Sequence, residues 1–293
     1  MSKILLPIIA AAALFTSCAG GDKCCKECCC KDGLEFGVQL YSVRDLIGDA
    51  EKYAANHEQI LSQLAEMGYK SVEAANYSDG LFYGVTPEQF KADVEAAGLK
   101  VLSSHTNRGL SDEELASGDL TAALAWWDEA IVAHKAAGMQ YIVVPWMGVP
   151  ETLAQLKVQC DYLNAIGKKC VENGILFGYH NHSHEFTEVE GTTMYDYMIE
   201  NTDPECVFFQ MDVYWTVNGR KAPVEYFQKY PGRFKMLHIK DHYEVGQSGM
   251  VGFDAIFRNV STAGAQDFIV EMEGTSVGDI METCRISIDY LTK

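Results

Sequence analysis

Four segments in the second half of the sequence end on side chains that can bind a metal ion or transfer a proton. Three are apolar runs of strand length that finish on an acid or a histidine: 210–212, 237–241 and 269–273. The fourth, 175–185, ends in Tyr-His-Asn-His-Ser-His-Glu. When parallel strands end in Asp, His or Glu, these side chains can converge at one mouth and hold a divalent cation. The convergence requires a fold in which these strands run parallel and side by side.

From Leu34 onward, strand-like apolar runs alternate with stretches of helical periodicity. Strands are expected at 36–41, 71–74, 100–105, 140–146, 174–182, 206–212, 234–240 and 267–273. Helices are expected at 49–67, 86–98, 119–137, 151–173, 193–200, 221–230, 253–263 and 279–291. Eight such pairs predict an α/β protein with a closed parallel (β/α)8 TIM barrel, in a single domain over residues 34–293. An open doubly wound sheet is disfavoured because the first strand is followed by Tyr-Ser-Val-Arg-Asp and not by a Gly-rich turn.

Ligands of such barrels bind at the C-terminal ends of the strands. The residues predicted at those ends are Gln39, Tyr41, Glu73, His105, Trp146, His180, His182, Asp212, His238, Lys240, Glu271 and Glu273. This set is rich in metal ligands and acid–base groups, and its aromatic rings suit the apolar faces of sugars. Some members also have a purely structural interpretation. His105 is then a hydrogen-bonded core residue, Glu73 pairs with Arg44, and Asp212 caps the loop that follows it.

The chemistry of these side chains indicates a mixed oxygen and nitrogen site for one divalent ion. Two carboxylates and one or two imidazoles suit Mn²⁺, Zn²⁺, Mg²⁺ or Fe²⁺ and leave positions open for a substrate. A cation there would polarise a sugar carbonyl and acidify the adjacent C–H, and a nearby carboxylate would remove the proton.

Residues 34–293 resemble the sugar isomerase/epimerase superfamily with a xylose-isomerase-like barrel, here in a lipoprotein form. The motifs that carry the resemblance are Gln39–Arg44, Gly178–Phe186, Met211–Trp215, His238–Asp241 and Ile269–Glu271. The resemblance implies that Asp212, His238 and Glu271 bind the metal ion. It also implies proton transfer by Glu271, the carboxylate on strand eight. The position at the strand ends, and not the resemblance, predicts substrate binding by Gln39, Tyr41, Glu73, His105 and Trp146, and the aromatic face of Trp215 at the barrel mouth adds that residue.

The sequence departs from this family at the fifth strand. Typical sugar epimerases of the group carry a metal-binding Glu there, in a Gly-x-Glu pattern that this chain replaces with Gly178-Tyr179-His180. Because side chains alternate along a strand, His180 and His182 face the same way, and either can complete the metal site. Epimerases of the group use carboxylates on strands five and eight as an acid–base pair. Here Glu185, Glu273 or Lys240 would supply the missing proton transfer.

The net charge of the protein limits the classes of ligand that it can bind. The net charge is −18, from 23 basic and 41 acidic residues, and no basic run is present, which excludes a nucleic-acid-binding surface. The expected mouth offers only Lys240, Arg44 and Arg220 to a phosphate, which favours an uncharged sugar or keto-glycoside.

Three functional hypotheses follow. The first is a metal-dependent isomerase or epimerase that works on a neutral sugar through an enediolate. The second is a 3-keto-glycoside lyase or hydratase with the same metal-enolate chemistry. The third is a non-catalytic carbohydrate-binding lipoprotein. The sequence predicts neither the particular sugar nor the oligomeric state.

The N-terminus is typical of an export signal. Residues 1–17 contain one Lys and an apolar run at 4–15 that is too short for a stable membrane-spanning helix. Small residues then lead to Cys18, which predicts a lipoprotein signal peptide, acylation of that thiol and attachment to a bacterial membrane only through the lipid. An ordinary secretory signal is the alternative.

The remaining cysteines fall into two groups. Residues 18–33 form a Cys-rich tether, and its cysteines at 24–30 suit a flexible segment better than a metal cluster. The other four, Cys160, Cys170, Cys206 and Cys284, are expected to be buried thiols.

Overall fold

Eight parallel strands close into a barrel in the computed structural model, which describes residues 33–293. The strands are β1 (Phe36–Gln39), β2 (Ser71–Ala74), β3 (Lys100–His105), β4 (Tyr141–Val144), β5 (Leu176–His180), β6 (Val207–Asp212), β7 (Met236–Lys240) and β8 (Asp267–Glu271). They follow one another around the barrel in chain order, and β8 pairs with β1 to close it. The predicted TIM barrel is therefore confirmed. The predicted signal peptide, Cys18 and the tether up to residue 32 lie outside the described residues.

Helices cover the outside of the barrel. Within the described residues they are α1 (Arg44–Ile47), α2 (Ala50–Met67), α3 (Pro87–Ala96), α4 (Asp112–Ser117), α5 (Thr121–Ala136), α6 (Leu153–Glu172), α7 (Met194–Asn201), α8 (Val213–Asn218), α9 (Pro223–Lys229), α10 (Phe253–Arg258), α11 (Val260–Ala263) and α12 (Ile280–Thr292). Their bounds agree with the predicted helices except that α1, α4 and α8 were not foreseen and the helix expected at 253–263 divides at Asn259. Two short antiparallel hairpins, at 77–82 and 188–193, extend the loops. No helix in the described range is both long and apolar enough to cross a membrane.

Because side chains alternate along each strand, one set points into the barrel, where its upper members are polar, and the other set packs in the main core between the barrel and the helices. On β7, Met236, His238 and Lys240 share one face, while Leu237 and Ile239 belong to the main core. The same period places Asp212 on the inner face of β6, two residues beyond Gln210. Chemistry-bearing side chains thus occupy the upper interior of the barrel, above an apolar layer.

That apolar layer fills the lower interior and is separate from the main core. Its buried members are Leu102, Tyr141, Val143, Phe208, Met236 and Ile269. Gly178 on β5 makes room for it, because a Cβ atom there would lie 2.6 Å from the ring of Phe208 on the adjacent strand. The Gly-x-His pattern of β5 therefore supports the packing below His180.

The four cysteines of the barrel are buried free thiols, as expected from the sequence: Cys160, Cys170, Cys206 and Cys284. Burial raises the pKa of Cys160 to about 12, so its thiol stays protonated. These residues act as small apolar side chains.

Candidate metal centre and active site

The strand register brings the predicted ligands together. Asp212 pairs with His238 between β6 and β7, and Lys240 pairs with Glu271 between β7 and β8. One possible ligand atom from each of His180, Asp212, His238 and Glu271 lies within 4.8 Å of the others, and all four residues are buried. The cluster therefore has the donor set, two carboxylates and two imidazoles, that a divalent cation takes with positions left open.

The two carboxylate oxygens of Asp212 differ in their surroundings within this cluster. Its Oδ1 accepts a hydrogen bond from Trp215 N at 2.8 Å and so caps α8, as the structural interpretation of this residue expected. Its Oδ2 is buried and has no hydrogen-bond partner among the described residues. Burial raises the pKa of Asp212 to about 7 although Lys240 opposes the shift. A buried oxygen left unpaired is costly, and a cation would satisfy it. The residues present therefore fit a metal ion.

His238 lies between two carboxylates. Its Nε2 is 2.6 Å from Glu73 Oε1, and its Nδ1 is 3.4 Å from Glu271 Oε2. Burial alone would lower the pKa of His238, but the charges of Glu73 and Glu271 and their hydrogen bonds raise it to about 10. Glu73 holds Nε2, so Nδ1 is the nitrogen that faces the cluster. A carboxylate behind a ligand histidine is the usual way in which proteins fix the orientation of the ring.

Glu73 is the centre of a buried hydrogen-bond network. Gln39 Nε2 donates to its Oε1 at 2.9 Å, and Ser103 Oγ and Gln210 Nε2 donate to its Oε2 at 2.7 and 2.9 Å. His105 Nε2 lies 3.1 Å from Oε1. Burial would raise the pKa of Glu73, but His105 and His238 together with these hydrogen bonds lower it to about 2. Gln39 and Glu73 are fully buried behind the candidate metal ligands, so the structure corrects their predicted placement on the wall that faces the substrate. The alternative prediction, in which Glu73 pairs with Arg44, is also corrected, because the contacts of Glu73 are those of the network.

Both histidines of the β5 motif line the cavity, but they occupy different positions. His180 ends β5 and belongs to the four-residue cluster, with Nδ1 3.1 Å from Gln210 Oε1. Burial holds the pKa of His180 well below its usual value, which keeps the imidazole neutral. His182 lies beyond the strand end, with its ring 5.6 Å from that of Trp215 and a buried Nδ1 that has no hydrogen-bond partner among the described residues. The geometry favours His180 as the ligand and places His182 on the substrate side.

Lys240 lies between the two acidic residues at the end of β8. Its Nζ is 3.2 Å from Glu273 Oε1 and 3.5 Å from Glu271 Oε2, contacts of ion-pair distance that lack hydrogen-bond geometry. Burial would lower the pKa of Lys240, but Glu271, Asp212 and Glu273 raise it, so the ammonium is maintained. The residue is a buried proton donor next to a partly exposed carboxylate.

Glu185 does not reach this cavity. It is fully buried, accepts a hydrogen bond from Tyr179 OH at 2.6 Å, and accepts another from His182 N at 2.8 Å. His184 Nε2 lies 3.2 Å from the same carboxylate and 2.9 Å from Met147 O. The structure thus corrects the position expected for Glu185: its carboxylate is absent from the cavity wall and stabilises the loop after β5, next to His182 and His184.

A cavity of about 580 Å³ opens above the cluster at the C-terminal ends of the strands. The sequence-predicted residues on its wall are Tyr41, His105, His180, His182, Trp215, Glu271 and Glu273. Trp146 is outside this wall, half-exposed beside a smaller neighbouring pocket. Sequence reasoning missed the wall residues Ala75, Asn76, Tyr77, Thr106, Asn107 and Pro145. All of them lie one to three positions beyond the ends of β2, β3 and β4, where loops and not strand periodicity set the direction of the side chain.

The chain belongs to the family of the xylose isomerase-like TIM barrel, whose model matches residues 61–293. It is 30% identical over 252 residues to inosose dehydratase 2 of a Bacillus cereus strain, and the match covers 80% of this chain and 78% of the relative. It is 27% identical over 213 residues to the inosose dehydratase of Geobacillus kaustophilus, where the match covers 67% of this chain and 65% of the relative. Among solved structures, a sugar phosphate isomerase/epimerase from Parabacteroides distasonis superposes with a TM-score of 0.80 at 36% identity, covering 89% of this chain and 98% of that one. The family expected from the motifs is confirmed, and the named relatives are enzymes.

Proposed function

We propose that the protein is a metal-dependent enzyme that removes a proton next to the carbonyl of an uncharged keto-sugar and then eliminates a neighbouring oxygen substituent. The enzyme is thus a lyase or dehydratase. One observation carries the proposal: four of the seven buried side-chain atoms without a hydrogen bond in the described part of the chain belong to this one site. They are Asp212 Oδ2, His182 Nδ1, Trp215 Nε1 and Lys240 Nζ. Buried polar atoms without a hydrogen bond, concentrated at one site, indicate groups available to a ligand; of the four, Lys240 Nζ also has ion-pair contacts with Glu271 and Glu273.

The cation would be held by His180, Asp212, His238 and Glu271. When bound, it would supply Lewis acidity that polarises the keto oxygen and acidifies the adjacent C–H. The metal could be Mn²⁺, Zn²⁺, Mg²⁺ or Fe²⁺, since this donor set suits each of them.

The protein groups that move protons lie together on one side of the cavity. Glu273, on the cavity wall, is the carboxylate free to take the α-proton while Glu271 serves the metal site. Lys240, whose ammonium lies 3.2 Å from Glu273, donates a proton to the departing oxygen as its C–O bond breaks and the C=C bond forms. The proton on Glu273 can then return to the Lys240 amine across the same contact. An acid and a base on one face suit elimination, whereas epimerisation at one carbon requires groups on opposite faces.

The charge of the wall supports an uncharged substrate. Two carboxylates, Glu271 and Glu273, line the described cavity, and the Lys240 ammonium beside them is already ion-paired with both. Arg44 is engaged elsewhere: its guanidinium donates to Tyr41 O at 2.9 Å and to Glu273 O at 3.1 Å. A phosphate needs clustered donors that this wall does not present. The inosose dehydratase relatives agree with dehydration of a polyhydroxy ketone, while the phosphate in the name of the Parabacteroides relative finds no counterpart on this wall.

Hydrogen exchange tests the proposal directly. The metal-loaded protein, incubated in D₂O with a 3-keto-glycoside, should release the aglycone and place deuterium next to the carbonyl in the substrate recovered before the reaction is complete. Exchange without release would favour the second candidate, an isomerase or epimerase. The specific observation for it is the imidazole of His182, which lies on the cavity wall outside the proposed metal-ligand set and has no hydrogen-bond partner for Nδ1 among the described residues. Tight binding with neither exchange nor release would reject both enzymes and leave a carbohydrate-binding protein.

We propose further that the barrel is exported and held at a bacterial membrane by acylation of Cys18. The support is the sequence of residues 1–18 alone. A keto-glycoside is a reasonable substrate for an exported enzyme, because sugar phosphates are scarce outside the cytoplasm.

A further inference from the structure

A small pocket lies beside the main cavity, on the other side of Asn107. Asn107 lines both spaces, and its Nδ2 donates a hydrogen bond to Trp146 O at 3.0 Å. The pocket has a volume of about 80 Å³, which is room for about two or three water molecules. Its wall comes from the loops after β3 and β4 and from α4 and α6, and it includes Leu110, Leu115, Val144, Met147, Gln159 and Leu163. The wall is therefore largely apolar.

Three polar side chains besides that of Tyr162 line this pocket: Asn107, Arg108 and Gln159. The guanidinium of Arg108 is ion-paired with Glu114, so Gln159 is the candidate for a ligand contact. It is only 7% exposed, its Nε2 donates to Gly148 O at 3.2 Å, and its Oε1 is buried without a hydrogen-bond partner among the described residues. The neighbouring Tyr162 hydroxyl is already engaged, since it donates to Arg108 O and accepts from Trp127 Nε1, both at 2.7 Å. An unpaired buried acceptor favours a ligand that brings a hydroxyl or N–H donor.

Trp146 provides a platform between the small pocket and solvent. It is 53% exposed although it is the largest kind of side chain, and its ring lies 5.8 Å from that of His184. An exposed indole offers a flat apolar face on which the C–H face of a sugar ring can pack. The main cavity, at about 580 Å³, lies well within the range of about 300–1,000 Å³ for ligand sites. Together, these features describe a site longer than one reacting ring.

We propose that Trp146 and the Gln159 pocket form a second subsite, which binds an uncharged sugar ring linked glycosidically to the reacting keto-sugar. The second ring packs on Trp146, and its hydroxyl-bearing arm enters the small pocket and donates to Gln159 Oε1. This inference rests on the proposed function and narrows its substrate class from keto-sugars in general to keto-disaccharides.

The test compares two probes, a 3-keto-disaccharide and the methyl 3-keto-glycoside that keeps only its reacting ring. Dissociation constants are measured by calorimetry on metal-loaded protein that carries Lys240→Met throughout, so that elimination is slow during the titration; this background serves as the wild type of the comparison. The wild type should bind the disaccharide about tenfold more tightly. Gln159→Leu, which removes the acceptor, should lower disaccharide affinity about three- to tenfold and leave the methyl glycoside unchanged. Leu115→Phe, which fills the pocket from α4, should abolish the preference, whereas Val149→Ala, an exposed residue in the same loop region, should retain it.

Equal affinity of the wild type for both probes would overturn the subsite, as would variants that weaken both probes equally. Melting temperatures of all variants establish that they fold. If Gln159→Leu does not fold, Leu115→Phe still tests whether the small pocket contributes to disaccharide binding. Failure of the subsite is distinct from failure of the function. Deuterium exchange into both probes without a preference rejects only the subsite, while a preference without exchange rejects only the proposed chemistry.

Discussion

Glu73 on β2 contacts His238 on β7 across the interior of the barrel, with 2.6 Å between Glu73 Oε1 and His238 Nε2. The contact joins residues 165 positions apart and leaves His238 Nδ1 directed towards the metal cluster. Under the proposed function, Glu73 would position a metal ligand; it is not on the cavity wall.

This arrangement predicts that Glu73→Gln weakens metal binding. The amide retains the shape and hydrogen bonds of the side chain but loses the charge that orients the imidazole, so the metal dissociation constant should rise about 10- to 100-fold. Metal titration followed by fluorescence or calorimetry measures it. The control is Ser103→Ala, which removes one donor to Oε2 and leaves the carboxylate on His238; a similar loss in both variants would contradict the specific role of the carboxylate.

Asp212 is predicted to have two separable functions, metal binding through Oδ2 and capping of α8 through Oδ1. Asp212→Asn preserves the cap, so we expect loss of bound metal with little change in stability. Asp212→Ala should lose the metal and also about 1 kcal/mol of unfolding free energy, because Trp215 N loses its acceptor. Elemental analysis and denaturant unfolding of the two variants provide the comparison. Full metal content in Asp212→Asn would remove Asp212 from the ligand set.

Lys240→Met should slow turnover without removing the metal. The variant keeps the apolar stem but loses the proton donor beside Glu273, and general acid catalysis typically contributes about 10²- to 10⁴-fold to rate. Steady-state kinetics and metal analysis are measured together, with Lys235→Met, just before the opposite end of β7, as the matched control. Unchanged turnover in Lys240→Met would assign the proton donor elsewhere.

His134 should make the barrel less stable in acid. Burial lowers the pKa of His134 to about 4, and its Nδ1 lies 2.6 Å from Ala130 O and its Nε2 2.7 Å from Thr106 Oγ1. The unfolded chain, with a histidine pKa of about 6.5, binds the proton more readily, so stability falls as the pH drops from about 6.5 to about 4. The contribution is of the order of 3 kcal/mol across that window. Denaturant unfolding at several pH values should show that the unfolding free energy falls less steeply with decreasing pH in His134→Gln than in the wild type. The same dependence on pH in both proteins would contradict the role of His134.

Attachment to the membrane should depend on Cys18. In a bacterial host, wild-type protein is expected in the membrane fraction and labelled by a fatty-acid analogue, whereas Cys18→Ser should show neither property. Cys24→Ser, in the cysteine-rich tether, is the matched control and should behave as wild type. Retention of the lipid label in Cys18→Ser would refute acylation at this residue.

The sequence alone determined the order of the strands and helices, and with it the presence of Asp212, His238 and Glu271 near the ends of three successive strands. Those conclusions needed only the local period of apolar residues and the rule that parallel barrel strands end at one face. The sequence predicted the positions of side chains just beyond the strand ends less well, because the conformation of the loop, and not the alternation along a strand, sets their direction. Glu185, in the loop after β5, is buried and absent from the cavity wall for this reason.

Only the tertiary structure decided which atoms meet. Closure of the barrel brought Glu73 from β2 against His238 from β7, a partnership that no local pattern contains. Register placed His180 in the metal cluster and His182 on the cavity wall, although both share one motif. Burial depends on every neighbouring element, and it left Asp212 Oδ2 and Gln159 Oε1 without hydrogen-bond partners among the described residues. The proposed metal site and the proposed subsite rest on these two atoms.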